Sequence, residues 1–174
     1  NNRGNAVMKL LIMSDTHGDA EVIKTVRDYY PQVDAVVHCG DSELPYDHTY
    51  LQGVERVRGN CDRKDDRFPN EKLFKLGETT VFVTHGHLFN VKSSILSLMY
   101  RAREVGANIC CFGHSHILGA EMIDDTLFIN PGSLLKPRGR KEKSFVVVDI
   151  TDTGYTVNCY THENELLDSI RFEK

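Results

Sequence analysis

The sequence predicts an α/β fold in which two sheets pack face to face with helices on the outside, an α/β/β/α sandwich. Short apolar runs alternate with segments of helical periodicity over the first two thirds of the chain, which is typical of βαβ units. From Ile117 onward the pattern changes to closely spaced strands separated by turns, which indicates antiparallel pairing. The parallel half of the fold is therefore expected to come first.

In the parallel half, the apolar run "MKLLIMSD" predicts a first strand buried on both faces. A helix is predicted over 19–30, with Asp19 as its N-cap and Pro31 as its stop. A second helix is expected from about Lys92 to Val105, where the apolar spacing fits 3.6 residues per turn. The other strands of this half are expected at 34–41, 54–62, 72–77, 79–87 and 107–116.

The second half is predicted to form one antiparallel set of strands. These strands are expected at 119–124, 126–133, 143–151 and 155–162. The length of 174 residues suits a single domain, expected to span 8–174. Residues 1–7, "NNRGNAV", are polar and lack the apolar core of a signal peptide, so we expect a disordered lead or a remnant of cloning there.

The composition excludes several classes of protein. A net charge of −4 argues against a general nucleic-acid coat and leaves nucleic acid only as a substrate. No apolar stretch approaches the roughly 20 residues that a membrane span needs, so no membrane partner is expected. The five cysteines are an odd set without paired metal-ligand spacing, which favours a reducing compartment and hence the cytoplasm. The oligomeric state is not indicated by the sequence.

Five predicted strands end in residues that commonly bind metal ions. In open α/β sheets ligands gather beyond the carboxyl ends of the strands, so these side chains are expected to share one edge of the fold. They lie in the segments "SDTH", "GD", "GNCD", "THGH" and "GHSH", and are Asp15, His17, Asp41, Asn60, His85, His114 and His116. A single histidine at a strand end is more often structural, but five such ends together predict a metal site.

The spacing of these residues predicts how they converge. Residues two apart on an extended segment point to the same side, so Asp15 and His17 are expected to face one point, as are His114 and His116 with Ser115 as a spacer. Seven carboxylate, imidazole and amide ligands are too many for one transition ion. Shared between two ions about 3.5 to 4 Å apart, with Asp41 as the bridge, they predict a hydrolytic two-metal site.

The order D-x-H, G-D, G-N, H, G-H-x-H resembles the calcineurin-like metallophosphoesterase superfamily, and the resemblance covers Met8 to about His116. The later segment "NPGS" and the short length resemble its small bacterial and archaeal phosphodiesterase branch. The resemblance implies a sandwich of the metallo-dependent phosphatase type. It also implies a divalent-metal-dependent phosphodiesterase that cleaves a small phosphodiester through attack by a metal-bridging hydroxide.

The resemblance also implies a division of the ligands between two ions. Asp15, His17 and His116 would serve the first metal and Asn60, His85 and His114 the second, with Asp41 bridging. Mn²⁺ is the usual activating ion of the superfamily, with Fe, Zn or Ni as alternatives. Asp41 and Asn60 are thereby expected to be catalytic as well as metal-binding.

One position departs from the common pattern of the superfamily. Many members read G-N-H-[DE], where the histidine serves the leaving group, but Cys61 stands there in this chain. The loss of a positioned acid can cost roughly 10²- to 10⁴-fold, which disfavours monoesters with basic leaving groups. His87 is the candidate for a leaving-group or supporting role, with a loop histidine bonded to backbone as the alternative. A nucleophilic role for Cys61 is the weaker interpretation.

Two further alternatives stay open from the sequence. The same fold serves as a protein-binding scaffold in the retromer subunit related to this superfamily, so a catalytically weak interaction module is the rival function. The basic run "KPRGRKEK" is either a solvated turn or a clamp for phosphate, and only Lys136 and Arg138 are close enough in sequence to "NPGS" to reach the site.

Overall fold

The computed structural model describes residues 7–174, so the lead predicted at 1–7 lies outside the described residues except for Val7. The described part contains two α-helices, α1 (Ala20–Tyr29) and α2 (Leu96–Glu104). Its strands are β1 (Met8–Met13), β2 (Ala35–His38), β3 (Val54–Arg56), β4 (Glu71–Leu76), β5 (Thr79–Thr84), β6 (Ile109–Cys111), β7 (Gly119–Ile123), β8 (Thr126–Asn130), β9 (Ser144–Ile150), β10 (Gly154–Thr161) and β11 (Leu166–Glu173).

The strands form two mixed sheets, which confirms the predicted two-sheet α/β sandwich. The first sheet has the order β11-β10-β9-β1-β2-β3 and the second the order β4-β5-β6-β8-β7. Pairing is parallel among β1, β2 and β3 and among β5, β6 and β8, and antiparallel elsewhere. Each sheet therefore carries a parallel centre flanked by antiparallel strands.

Strand β1 shows why residues 10–13 form an uninterrupted apolar run. Leu10 and Ile12 face the second sheet and join the core between the sheets. Leu11 and Met13 face the opposite way and pack against Ile23 and neighbouring residues of α1. The part of the strand that is covered on both faces therefore has apolar residues at every position, whereas Lys9 near its start is exposed.

Helix α2 covers the outer face of the second sheet. Leu98 and Ala102 pack against Phe82, Cys110 and Phe128, which completes a layer order of helix, sheet, sheet and helix. At the other face, Asp19 caps α1 by accepting a hydrogen bond from the Val22 amide at 3.1 Å, as the sequence predicted. None of the helices in residues 7–174 is long and apolar enough to cross a membrane.

The prediction of a single antiparallel set after Ile117 is wrong. Strands β7 and β8 belong to the second sheet, where β8 pairs in parallel with β6, while β9 and β10 return to the first sheet beside β1. The alternation of apolar and polar residues indicates which face of a strand is buried, but it does not indicate which strands pair with one another. The terminal strand β11 was missed because it is an edge strand with mostly exposed side chains.

Helix α2 begins four residues later than predicted. Asn90 adopts a left-handed conformation, with φ of 53°, and its carbonyl accepts hydrogen bonds from the Ser93 and Ser94 amides. This turn occupies the residues where the first helical turn was expected, so the helix starts at Leu96.

Candidate metal centre

The loops that follow β1, β2, β3, β5 and β6 meet at one edge of the sandwich. Their backbones are hydrogen-bonded directly to one another: the Asp15 amide donates to the Gly40 carbonyl at 3.0 Å and the His17 amide to the Asp41 carbonyl at 2.9 Å. The Gly113 amide donates to the His85 carbonyl at 2.9 Å within the second sheet. The predicted strand-end residues therefore lie on adjoining loops, held in register by the sheets.

Five of the seven predicted ligands have a left-handed backbone. They are Asp15, His17, Asp41, His114 and His116, with φ angles of 55°, 46°, 58°, 71° and 62°. This conformation is uncommon for residues with side chains and concentrates at functional sites. It also corrects the reasoning from sequence, because β1 ends at Met13 and β6 at Cys111, so Asp15 and His17 approach each other through left-handed turns rather than along an extended strand. His114 and His116 do not share a group, since His116 lies with Asp15 and His17 whereas His114 lies beside His85.

The first group of candidate ligand atoms comes from Asp15, His17 and His116, which the sequence assigned to one metal. The Asp15 Oδ1 atom lies 3.2 Å from His116 Nε2 and 3.8 Å from His17 Nε2. The two imidazole Nε2 atoms are 3.4 Å apart. These are separations that atoms bound to a common ion can adopt.

The second group comes from Asp15, Asp41 and His85, all buried. His85 Nε2 lies 3.2 Å from Asp41 Oδ2, 3.7 Å from Asp15 Oδ1 and 3.1 Å from Asn60 Oδ1. Asp15 Oδ1 thus belongs to both groups. A sharing role was expected for Asp41, but Asp41 belongs to the second group alone, and Asp15 is the carboxylate that the two groups have in common.

His114 and His87 lie beside the second group. The His114 ring is centred 5.1 Å from the His85 ring, and its amide donates to Asp15 Oδ2 at 3.1 Å. The His87 ring is centred 5.3 Å from His85 and 6.1 Å from His114. His87 Nδ1 is buried and has no hydrogen-bond partner within residues 7–174. The leaving-group or supporting role of His87 stays a prediction.

Hydrogen bonds at Nδ1 turn three imidazoles so that Nε2 faces the centre. His85 Nδ1 donates to the Cys39 carbonyl at 2.9 Å and His116 Nδ1 to the Lys136 carbonyl at 2.7 Å. His17 Nδ1 donates to Glu43 Oε2 at 2.8 Å. Such partners are typical of metal-binding histidines, because they fix the ring and leave Nε2 to accept a cation.

A test of whether a metal fits rests on Asp15 Oδ1. This atom is buried and has no hydrogen-bond partner in the described part of the chain, although it lies between three imidazole nitrogens. An orphaned carboxylate oxygen is costly in a protein interior unless a cation compensates it. Carboxylate, imidazole and amide donors without thiolate suit a divalent ion such as Mn²⁺, so the residues fit the predicted group.

The pKa values of the buried carboxylates and imidazoles indicate that the centre favours a bound positive charge. Burial raises the pKa of Asp15, but the close approach of His116 and the charge of His85 outweigh it, so the pKa lies below the ordinary value. Burial likewise raises the pKa of Asp41, and the hydrogen bond and charge of His85 outweigh it and lower the pKa. The close approach of the Asp15 carboxylate raises the pKa of His116. Burial lowers the pKa of His85, and its contact with Asp41 more than reverses this.

Partial loss of solvation is the largest influence on the pKa of two neighbouring side chains. Burial and the charge of His85 lower the pKa of His114 to about 4, so its ring is neutral and able to bind a metal near pH 7. Burial and the Asp41 carboxylate raise the pKa of the Cys61 thiol to about 11. Because a thiol with that pKa stays protonated near neutrality, a thiolate nucleophile at Cys61 is disfavoured.

Several supporting residues were not identified from the sequence. Asp62 is buried and accepts hydrogen bonds from the amides of Asp41, Glu43 and Gly59 at 2.7 to 2.8 Å, so it holds the loops after β2 and β3 together. Ser133, in the segment "NPGS", donates its hydroxyl to the Asp15 carbonyl at 2.7 Å. These residues act through the fold, and only the position of Asp62 directly after Cys61 could have drawn attention to it.

Two other expectations about the loops are refined by the structure. Ser115 is more than a spacer, because its hydroxyl accepts a hydrogen bond from Asn130 Nδ2 at 2.9 Å. Lys136 and Arg138 reach the site through their backbones, since the Lys136 carbonyl holds His116 and the Arg138 amide donates to the His116 carbonyl at 3.0 Å. Their side chains are exposed.

Comparison with curated proteins finds relatives across most of the chain. The probable metallophosphoesterase YsnB of Bacillus subtilis (strain 168) is 42% identical over 163 residues, which cover 92% of this chain and 96% of the Bacillus protein. The phosphodiesterase YfcE of Escherichia coli (strain K12) is 28% identical over 169 residues, which cover 82% of this chain and 88% of the E. coli protein.

Comparison with solved structures gives the same fold. A conserved protein of Streptococcus pneumoniae TIGR4, described as a predicted phosphoesterase, matches with a TM-score of 0.93 and 38% identity over 97% of this chain and 99% of that one. Vacuolar Protein Sorting 29 from Cryptosporidium parvum matches with a TM-score of 0.80 and 20% identity over 97% and 99% of the two chains, a likeness of fold alone. The model of the calcineurin-like phosphoesterase superfamily domain matches residues 8–153. The chain is therefore a member of the calcineurin-like phosphoesterase superfamily, as its strand-end motifs indicated.

Proposed function

We propose that this phosphoesterase is a phosphodiesterase that uses two divalent metal ions, with Mn²⁺ as the activating ion and Fe, Zn or Ni as alternatives. The observation that carries the proposal is the unpartnered Asp15 Oδ1, which lies 3.2, 3.7 and 3.8 Å from the Nε2 atoms of His116, His85 and His17. A buried anion at the meeting point of three imidazoles is an arrangement suited to hold cations.

The proposed ligands are assigned to two positions. Asp15, His17 and His116 would hold one ion, and Asn60, His85 and His114 the other, with Asp41 between them and Asp15 Oδ1 within reach of both. Two such ions, when bound, supply Lewis acidity that activates water for attack on phosphorus and neutralises charge on the phosphoryl oxygens. The protein's own part is to fix the ligands through the hydrogen bonds of Glu43, Cys39 and Lys136.

A diester is the proposed substrate because the chain lacks the usual acid for the leaving group. The Cys61 thiol has a pKa of about 11 and is a poor proton donor, so esters with strongly basic leaving groups are disfavoured. The name of the E. coli relative, a phosphodiesterase, supports the same choice. His87, whose Nδ1 has no partner in residues 7–174, is the side chain proposed to hold a proton near the leaving group.

The cellular setting is proposed on chemical grounds. Cys39, Cys110, Cys111 and Cys159 are buried free thiols and Cys61 is an exposed one, which suits the reducing cytoplasm. The proposed partner is a small phosphodiester, with nucleic acid only as a substrate. The scaffold alternative is less well supported, because a scaffold has no need to keep seven candidate ligands at one edge of the fold.

Hydrolysis of bis(4-nitrophenyl) phosphate in the presence of Mn²⁺ tests the proposal. The unaltered protein is expected to release 4-nitrophenol and His114→Ala to be inactive with an unchanged circular dichroism spectrum. His162→Ala serves as the matched control and is expected to remain active. Retained activity in His114→Ala would contradict the assignment, and a folded protein without turnover in Mn, Fe, Zn or Ni would favour the scaffold.

A further inference from the structure

A cavity of about 310 Å³ lies directly beside the metal centre. Its wall includes Glu43 and Cys61, whose potential ligand atoms lie within 4.8 Å of each other and of His17. The cavity therefore opens at the side of the first ligand group. An alcohol portion of a phosphodiester held at the metal centre would lie within reach of this cavity.

One wall of the cavity is apolar and firmly held. It is formed by Leu44, Pro45 and Phe68. Phe68 is only 4% exposed and packs edge-on against Tyr46, with ring centres 5.1 Å apart and an interplanar angle of 83°. A flat apolar wall anchored in the core is suited to contact an aromatic ring.

The cavity wall carries three carboxylates and two cations, Arg63 and Lys64. Its acidic residues are already engaged: Asp62 accepts three backbone amides, Asp65 pairs with Arg67 at 2.7 Å, and Glu43 holds His17. Within residues 7–174, neither Arg63 nor Lys64 forms an ion pair, and the Arg63 Nε donates only to the Asn60 carbonyl at 3.3 Å. The two cations therefore remain free to bind an anionic group of a ligand.

We propose that this cavity binds the alcohol portion of the substrate diester, and that this portion combines an aromatic ring with a second anionic group, the chemistry of a nucleotide. The ring would lie against Leu44 and Phe68 and the second anion near Lys64. The volume is at the lower end of the range for small-molecule sites, which suits one nucleotide and disfavours a long acyl chain. The inference rests on the proposed function, since it assigns one half of that substrate.

Binding of adenosine 5′-monophosphate to the chelator-treated full chain, measured by isothermal titration calorimetry, tests the cavity without turnover. We expect saturable binding that is weakened at least about fivefold by Leu44→Gln and by Lys64→Glu, since each removes one favourable contact. Leu166→Gln and Lys75→Glu are the matched controls, because both side chains are exposed on strands away from the cavity, and they should leave the affinity unchanged. Adenosine and inorganic phosphate should each bind more weakly than the nucleotide.

The inference is overturned if the nucleotide does not bind at millimolar concentration, or if neither cavity variant weakens binding. Lys64 is exposed, so Lys64→Glu provides a folded test even if Leu44→Gln lowers stability. The outcome is separable from that of the proposed function. Nucleotide binding without diesterase activity would refute the proposed function and leave the cavity as a nucleotide site without a role in diester cleavage, whereas diesterase activity without nucleotide binding would refute the cavity inference only.

Discussion

Replacement of His38 by asparagine is expected to remove part of the acid sensitivity of the protein. His38 is 1% exposed and lies between two loops of the metal centre. Its Nδ1 accepts a hydrogen bond from the Gly40 amide at 3.1 Å, so Nε2 carries the proton and donates to Thr16 Oγ1 at 3.0 Å. A second proton would break the bond to Gly40 and place an imidazolium in the core. Asparagine keeps an acceptor for Gly40 and does not titrate.

The magnitude follows from the pKa of His38, which burial lowers from 6.5 to about 4. The unfolded chain takes up a proton near pH 6.5 and the folded chain only near pH 4, so the unfolded state binds more protons between these values. Stability is therefore undiminished above pH 6.5 and falls as the pH drops from 6.5 toward 4. Linkage gives a loss of about 2 kcal/mol between pH 7 and pH 5 from this residue.

The assay is urea unfolding of the chelator-treated protein at pH 7 and pH 5, followed by circular dichroism. The decrease in unfolding free energy between the two pH values should be smaller by about 2 kcal/mol in His38→Asn than in the unaltered protein. Thr16→Val is the matched control, because it removes the same side-chain hydrogen bond and keeps the imidazole. It should be less stable at both pH values with the original pH dependence. An identical pH dependence in His38→Asn would refute the reasoning.

Three further predictions concern the loops of the metal centre. Gly113→Ala would place a Cβ atom 2.5 Å from Asp15 Oδ2, so it should weaken Mn²⁺ binding, measured by calorimetry, and lower the free energy of unfolding in urea by about 1 to 3 kcal/mol. The control Gly119→Ala places its Cβ atom in open space and should change neither quantity. Glu43→Ala removes the hydrogen bond that orients His17 and should lower Mn²⁺ affinity by about 10-fold. An unchanged affinity would contradict this orienting role. Cys61→His should raise turnover of glycerol 2-phosphate, a monoester with a basic leaving group, by at least about 10-fold by supplying an acid, and an equal gain in Cys61→Ser would contradict that explanation.

The sequence predicted the sandwich and the edge on which the site lies, because buried parallel strands and their polar ends leave strong local signals. The run at β1 and the five ligand-bearing strand ends were identified from one chain. The choice of which strands pair with one another leaves no such local signal in the sequence. The segment of β8 shows this: it was assigned to an antiparallel set, yet its five buried residues pair in parallel with β6.

The supporting residues of the site were beyond sequence reasoning for a similar reason. Glu43 reaches His17 across 26 positions of the chain, and Ser133 reaches Asp15 across 118. Both contacts depend on how the loops of the two sheets meet. The left-handed conformations of Asp15 and His116 were also unforeseen, because the extended geometry assumed for D-x-H and H-x-H ends with the strands.

The number of metal ions bound per chain tests the central claim most directly. The metal-free protein, titrated with Mn²⁺ in a calorimeter and analysed for metal content after desalting, is expected to bind two ions per chain. Asp15→Asn, which alters the carboxylate within reach of both ligand groups, is expected to lose tight binding of both. A single ion per chain, or two ions that bind Asp15→Asn as tightly as the unaltered protein, would contradict the account.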